Sequence, residues 1–86
     1  MTSHEKIVDF LRRAHPHEQV EVRVLPGGAF VDVRRGPGVF LTVECSVSRG
    51  IGVSRLHRDD LAFGGHDMAF ASVDEALPAI DRLLRE

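Results

Sequence analysis

The chain has 86 residues, of which 43% are hydrophobic and 28% charged, and a formal net charge of −2. That length supports a single domain, residues 1–86, with one core, and the composition argues against disorder. No apolar run approaches the roughly 20 residues of a membrane span. The one cysteine, Cys45, excludes a disulfide framework or a thiolate zinc site within the chain. The segment Thr2-Ser3-His4-Glu5-Lys6 lacks the basic-then-apolar pattern of a signal peptide. Together these features predict a cytoplasmic protein. Charge is unevenly spread. Residues 1–58 hold nine Lys/Arg against six Asp/Glu, and residues 59–86 hold two against seven. The acidic end disfavours nucleic acid and suits a basic protein partner, or is simply a solvated face.

The first element is a helix over Ser3–Ala14. Thr2 and Glu5 have capping-box spacing, and Ile7, Phe10, Leu11 and Ala14 form one apolar stripe. His15-Pro16 ends it, because proline disfavours helical geometry in the residue before it. Alternation then predicts a strand over Gln19–Leu25, with Val20, Val22 and Val24 inward and Glu21 and Arg23 outward. A second strand follows over 29–35, with Val31 and Val33 inward. A two-residue turn at Gly27-Gly28 would set Val24 opposite Val31, Val22 opposite Val33, Arg23 opposite Asp32 and Glu21 opposite Arg34.

After Gly36-Pro37-Gly38, a third strand is expected over 39–47. Val39, Leu41, Val43, Cys45 and Val47 point inward there, and Phe40, Thr42, Glu44 and Ser46 outward. Ser48-Arg49-Gly50 reads as a hairpin loop. The fourth strand covers 51–56, with a bulge or an end where Arg55 and Leu56 break parity. Residues 58–71 read as irregular, with a turn at Gly64-Gly65. Ser72 and Glu75 form a second capping box, opening a helix whose apolar face is Val73, Ala76, Leu77, Ile80, Leu83 and Leu84. Pro78 should kink that helix or move its start. The fold class is therefore α+β: a two-layer sandwich in the order α-β-β-β-β-α, with a four-stranded antiparallel meander and both helices on one face.

Residues suited to chemistry are few. His57 and His66 flank Asp59, Asp60 and Asp67. A zinc site there would need three or four ligands converging, and no helical spacing enforces this, so they stand as weak metal candidates and no cofactor is assigned. The same acid and histidine types could serve acid–base catalysis, but they lie on one segment rather than around a pocket. Cys45 sits on an inward strand position, as an inert apolar side chain does. Phe30 and Phe40 are assigned to the outer sheet face. There they are either anchors for a protein partner or second copy, or packing for arginine stems and the 58–71 segment.

The residues Gly50-Ile51-Gly52-Val53-Ser54, Asp60, Phe63-Gly64-Gly65-His66-Asp67, Phe70 and Ser72-Val73-Asp74-Glu75-Ala76 carry a resemblance. Over about half the chain they resemble the end of small bacterial immunity proteins, which neutralise polymorphic or contact-dependent toxins. That resemblance implies terminal strands, an acidic loop and a closing helix, and occlusion of a toxin without catalysis. The function expected is thus non-enzymatic protein binding, as a toxin-neutralising immunity protein, through Asp59, Asp60, Phe63, His66 and Asp67 with Phe30 and Phe40. A homo-oligomeric accessory protein, homodimeric through the outer face or a strand edge, is the alternative. A small metal-dependent enzyme or sensor at His57 and His66 is the third.

Overall fold

Thr2 caps the first helix with both halves of a capping box. Its hydroxyl accepts from the Glu5 amide at 3.3 Å, and the Glu5 carboxylate accepts from the Thr2 amide at 2.8 Å. The structure, a computed structural model, describes residues 1–55 and 68–86. In it, α1 spans Ser3–Ala14, β1 Gln19–Leu25, β2 Gly28–Arg35, β3 Gly38–Ser46, β4 Gly50–Arg55, β5 Met68–Phe70 and α2 Val73–Arg85. The strands form one antiparallel sheet in chain order, β1-β2-β3-β4-β5. The α+β order is as the sequence implies, with one strand more. β5 is three residues long and lies where residues 58–71 read as irregular. Three residues are too few to display a period of two convincingly.

The first hairpin has a different register from the one expected. Its turn is Pro26-Gly27, so Val22 faces Val31, Val24 faces Ala29, Arg23 faces Phe30 and Glu21 faces Asp32. Pro26 supplies the fixed φ of the first turn position, and Gly27, at φ 84°, supplies the positive φ of the second. The slip is two residues, so every side chain keeps its face. The charge pairing survives on the diagonal. Arg23 reaches Asp32 at 3.1 Å and Arg34 reaches Glu21 at 3.7 Å, which offsets the two acids placed directly opposite.

The core lies between the inner sheet face and both helices. Ile7 and Leu11 of α1 meet Val31, Val33, Leu41, Val43, Cys45, Ile51 and Val53 of the sheet and Val73, Ala76, Ile80 and Leu84 of α2. Ser72 caps α2, accepting from the Glu75 amide at 3.4 Å, while Glu75 accepts from the Ala71 amide at 3.1 Å. The helix runs on past Pro78. That residue lies on an exposed position, where the bond it cannot make faces water.

Inward assignments fail at four residues, Val39, Val47, Val22 and Val24. Val39 falls opposite Arg34 on the outer face and is not part of the core. β3 ends at Ser46, and Val47 stands 87% exposed in the next turn. The Ser46 hydroxyl, accepting from the Ser48 and Arg49 amides at 3.3 and 3.1 Å, draws the chain out of the strand. Val22 and Val24 of β1 have the inward parity but are 41% and 69% exposed. Only Val20, at the start of the strand, packs on the core.

One end of the sheet is tied to the helices by Arg35. Its Nε donates to both Glu18 carboxylate oxygens at 3.1 and 3.2 Å, and its Nη2 donates to the Leu84 carbonyl at 2.7 Å. One guanidinium thus holds the α1–β1 connection and the last turn of α2, whose carbonyls have no partner within the helix. Arg35→Ala is expected to lower the unfolding free energy by roughly 1–2 kcal/mol, discounted for partial solvent contact. Arg35→Lys should recover less than half, because an ammonium cannot form the fork. Urea denaturation of the three proteins measures both.

Candidate functional site

Of the residues nominated by sequence, Asp59, Asp60, Phe63, His66 and Asp67, and the metal candidate His57, lie outside the described residues. Phe30 is where strand parity put it. It is half-buried on the outer face, opposite Arg23 and Glu44, with the Arg23 guanidinium 4.9 Å from its ring centre. Phe40 is not on that face. The register between β2 and β3 shifts at Val33/Arg34, so Phe40 is the extra residue of a bulge and its neighbour Val39 takes the position opposite Arg34. A bulge breaks the simple alternation of faces. Phe40 therefore packs on the core cluster and is stacked by Arg35 at 4.1 Å and Arg55 at 5.2 Å. Its aromatic face is already used within the molecule.

The outer face is a polar surface built around a buried acid. Asp32 is only 5% exposed although it sits on that side of the sheet. Arg23 reaches it at 3.1 Å, and the Thr42 hydroxyl donates to its Oδ1 at 3.0 Å. A buried carboxylate needs such partners. The same guanidinium covers Phe30, so Arg23, Phe30, Asp32 and Thr42 form one interlocked patch that holds its own shape.

Two further pairings involve groups of catalytic type. His15 Nε2 lies 2.7 Å from Asp81 Oδ1, beside the Phe10 ring, and Arg85 Nε donates to the other Asp81 oxygen at 2.9 Å. The hydrogen bond from His15, then that from Arg85, hold the Asp81 carboxyl below the usual range. No nucleophile is joined to this pair among the contacts of the described residues. The pair pins the α1–β1 connection to α2, just as Arg35 does. Cys45 is buried on β3, and desolvation pushes its thiol up to about 11. It is therefore protonated at neutral pH and shielded from reagents. Among the described residues no group of three His, Cys, Asp or Glu side chains is placed to hold a metal ion. Nor is any helix among them long and apolar enough to cross a membrane.

The feature that sequence reasoning missed is the first strand. β1 ends the sheet order, with β2 as its neighbour. Val22, Val24 and Leu25 run along it exposed, and Val47 is brought beside the turn by the bond from its amide to the Gly27 carbonyl at 3.0 Å. Between Val22 and α1 lies a groove lined by Met1, His4, Val8, Asp9 and Arg12. A signal was present in the sequence. A meander in chain order puts its first strand at an edge, and two helices cannot roof every strand of a wide sheet. No family model, curated protein or solved structure matches the chain.

A pH dependence follows from the tethering pairs. Arg35, chiefly through its hydrogen bonds, holds the Glu18 carboxyl below its ordinary 4.5. The unfolded chain therefore takes up the proton first as pH falls. The stabilisation is complete above that ordinary value, declines from about there, and is gone once the folded carboxyl has titrated. Thermal melts from pH 7 to pH 3 are expected to show this acid loss, and Glu18→Gln should flatten its slope.

Proposed function

We propose that this chain is a non-enzymatic protein-binding module whose contact surface centres on β1. The observation that carries the reading is an edge strand with Val22 and Val24 exposed on one face and Leu25 on the other. An edge strand offers unpaired backbone donors and acceptors to another chain, and natural proteins usually blunt such an edge with charged side chains, proline or a bulge. β1 has neither proline nor bulge, and its two charges, Glu21 and Arg23, are of opposite sign and pair with β2. Addition of a strand supplies backbone hydrogen bonds for affinity, while the alternating side chains supply specificity.

The finer form of the proposal is toxin neutralisation by occlusion, which the resemblance of residues 50–76 to immunity proteins supports. In that form Asp59, Asp60 and Asp67 steer a basic partner, since complementary charge acts chiefly on the association rate. Joint replacement of the three by Asn is then expected to slow association with such a partner several-fold at low salt and to leave the circular dichroism unchanged. Stopped-flow rates across salt concentrations measure this, and equal rates for both proteins reject the charged form.

The central reading is tested by Val24→Lys, which sets a charge on that strand at a position already exposed. Immobilised wild-type chain is expected to retain a protein from an extract of its native host, the chain itself included. The Val24→Lys chain, equally folded, should lose it. Retention by both, or by neither, rejects β1 as the contact surface.

A further inference from the structure

Resting on the reading of β1 as a contact strand, we infer that its partner is a second copy of this chain, paired antiparallel β1 to β1 about a two-fold axis at Val22. The two-residue turn at Pro26-Gly27 closes the hairpin with Leu25 and Gly28 as a hydrogen-bonded pair. Alternation along the ladder then directs the N–H and C=O of Val20, Val22 and Val24 away from β2, toward the open edge. A copy related by the two-fold presents the same three residues. Val22 meets Val22 of the second copy, Val20 meets its Val24, and Val24 meets its Val20. All three are hydrogen-bonded pairs in that register.

The side chains select this register. On the outer face Glu21 of each copy falls opposite Arg23 of the other. Within each copy Arg23 already holds Asp32 and Arg34 already holds Glu21. The junction therefore completes an alternating band, Asp32–Arg23–Glu21–Arg34, running across it twice. A slip of two residues one way sets Glu21 against Glu21, and the other way sets Arg23 against Arg23. Like charges directly opposite are unfavourable. On the inner face the valines of the two copies form a continuous row. Met1 and Val8, which line the groove above Val22, stand at its border. An edge strand is self-complementary in this way only when its charges are placed symmetrically about an apolar centre, as Glu21-Val22-Arg23 is. The result is an isologous dimer, the same patch used on both sides, with a ten-stranded sheet.

Light scattering and sedimentation of the whole purified chain test the pairing. The wild-type mass is expected to rise with concentration toward twice the 9.5 kDa of the chain. Glu21→Arg should weaken association about tenfold or more. Val22→Cys should form a disulfide-linked dimer under mild oxidation, since hydrogen-bonded cross-strand pairs place Cα atoms about 5.5 Å apart. Val24→Cys, facing residue 20 of the other copy, should not. Three results overturn the inference: a wild-type monomer up to about 1 mM, a dimer indifferent to Glu21→Arg, or equal cross-linking at both positions. A monomer that nevertheless captures a different protein, lost in Val24→Lys, overturns self-pairing alone and leaves β1 as a contact strand. Equal capture by Val24→Lys rejects that broader reading as well.

Discussion

Two helices cannot cover five strands. A packed helix is about 10 Å wide, and neighbouring strands lie about 4.8 Å apart. Two helices side by side therefore roof roughly four strands. The strands under that roof supply the fully buried side chains: Val31, Val33, Leu41, Val43 and Val53. The shortfall falls on β1. It carries the same valine alternation as its neighbours, but among the described residues only its Val20 reaches the core. That one limit sets both the position of the core and the apolar row left at the rim.

The opposite consequence appears on the other side of the sheet. Neither α1 nor α2 packs on this face, and its polar groups are satisfied by cross-strand pairing. Arg23 serves Asp32 and Phe30 together, and Thr42 closes the remaining side of the acid. At the end of the sheet, Arg35 performs the same service between layers. It joins Glu18, the Leu84 carbonyl and the Phe40 ring. The His15–Asp81 bond lies nearby and closes the same connection. Arginine suits these places because its planar fork donates to several acceptors while its face stacks on an aromatic ring.

The proposed recognition is one of contacts between backbones. The groups that resemble catalytic parts, His15 with Asp81 and the Cys45 thiol, are respectively a tether and a core side chain. Among the described residues, β1 presents a strand edge whose polar backbone is oriented by β2 and flanked by valines. A protein chain in extended form fits such an edge. In the proposed pairing, the symmetric placement of Glu21 and Arg23 about Val22 is what matches β1 to a second copy of itself.

By itself the sequence determined both helices, the first four strands and their order, but not β5, because those elements depend on neighbours a few residues apart. Capping residues Thr2 and Ser72, the break at His15-Pro16 and the inward positions of Val31, Val33, Leu41, Val43, Cys45, Ile51 and Val53 were all legible. So was the face assigned to each residue of β1 and β2, which even a two-residue register error preserved. Tertiary structure alone decided what depends on distant residues. Burial of Val22 and Val24 turns on whether a helix lies above them, and periodicity reports only which face they occupy. The reassignment of Phe40 turns on a bulge created by two strands meeting, which neither strand encodes separately. The bonds from Arg35 to Glu18 and from His15 to Asp81 span 17 and 66 residues, a separation at which sequence pattern carries no distance.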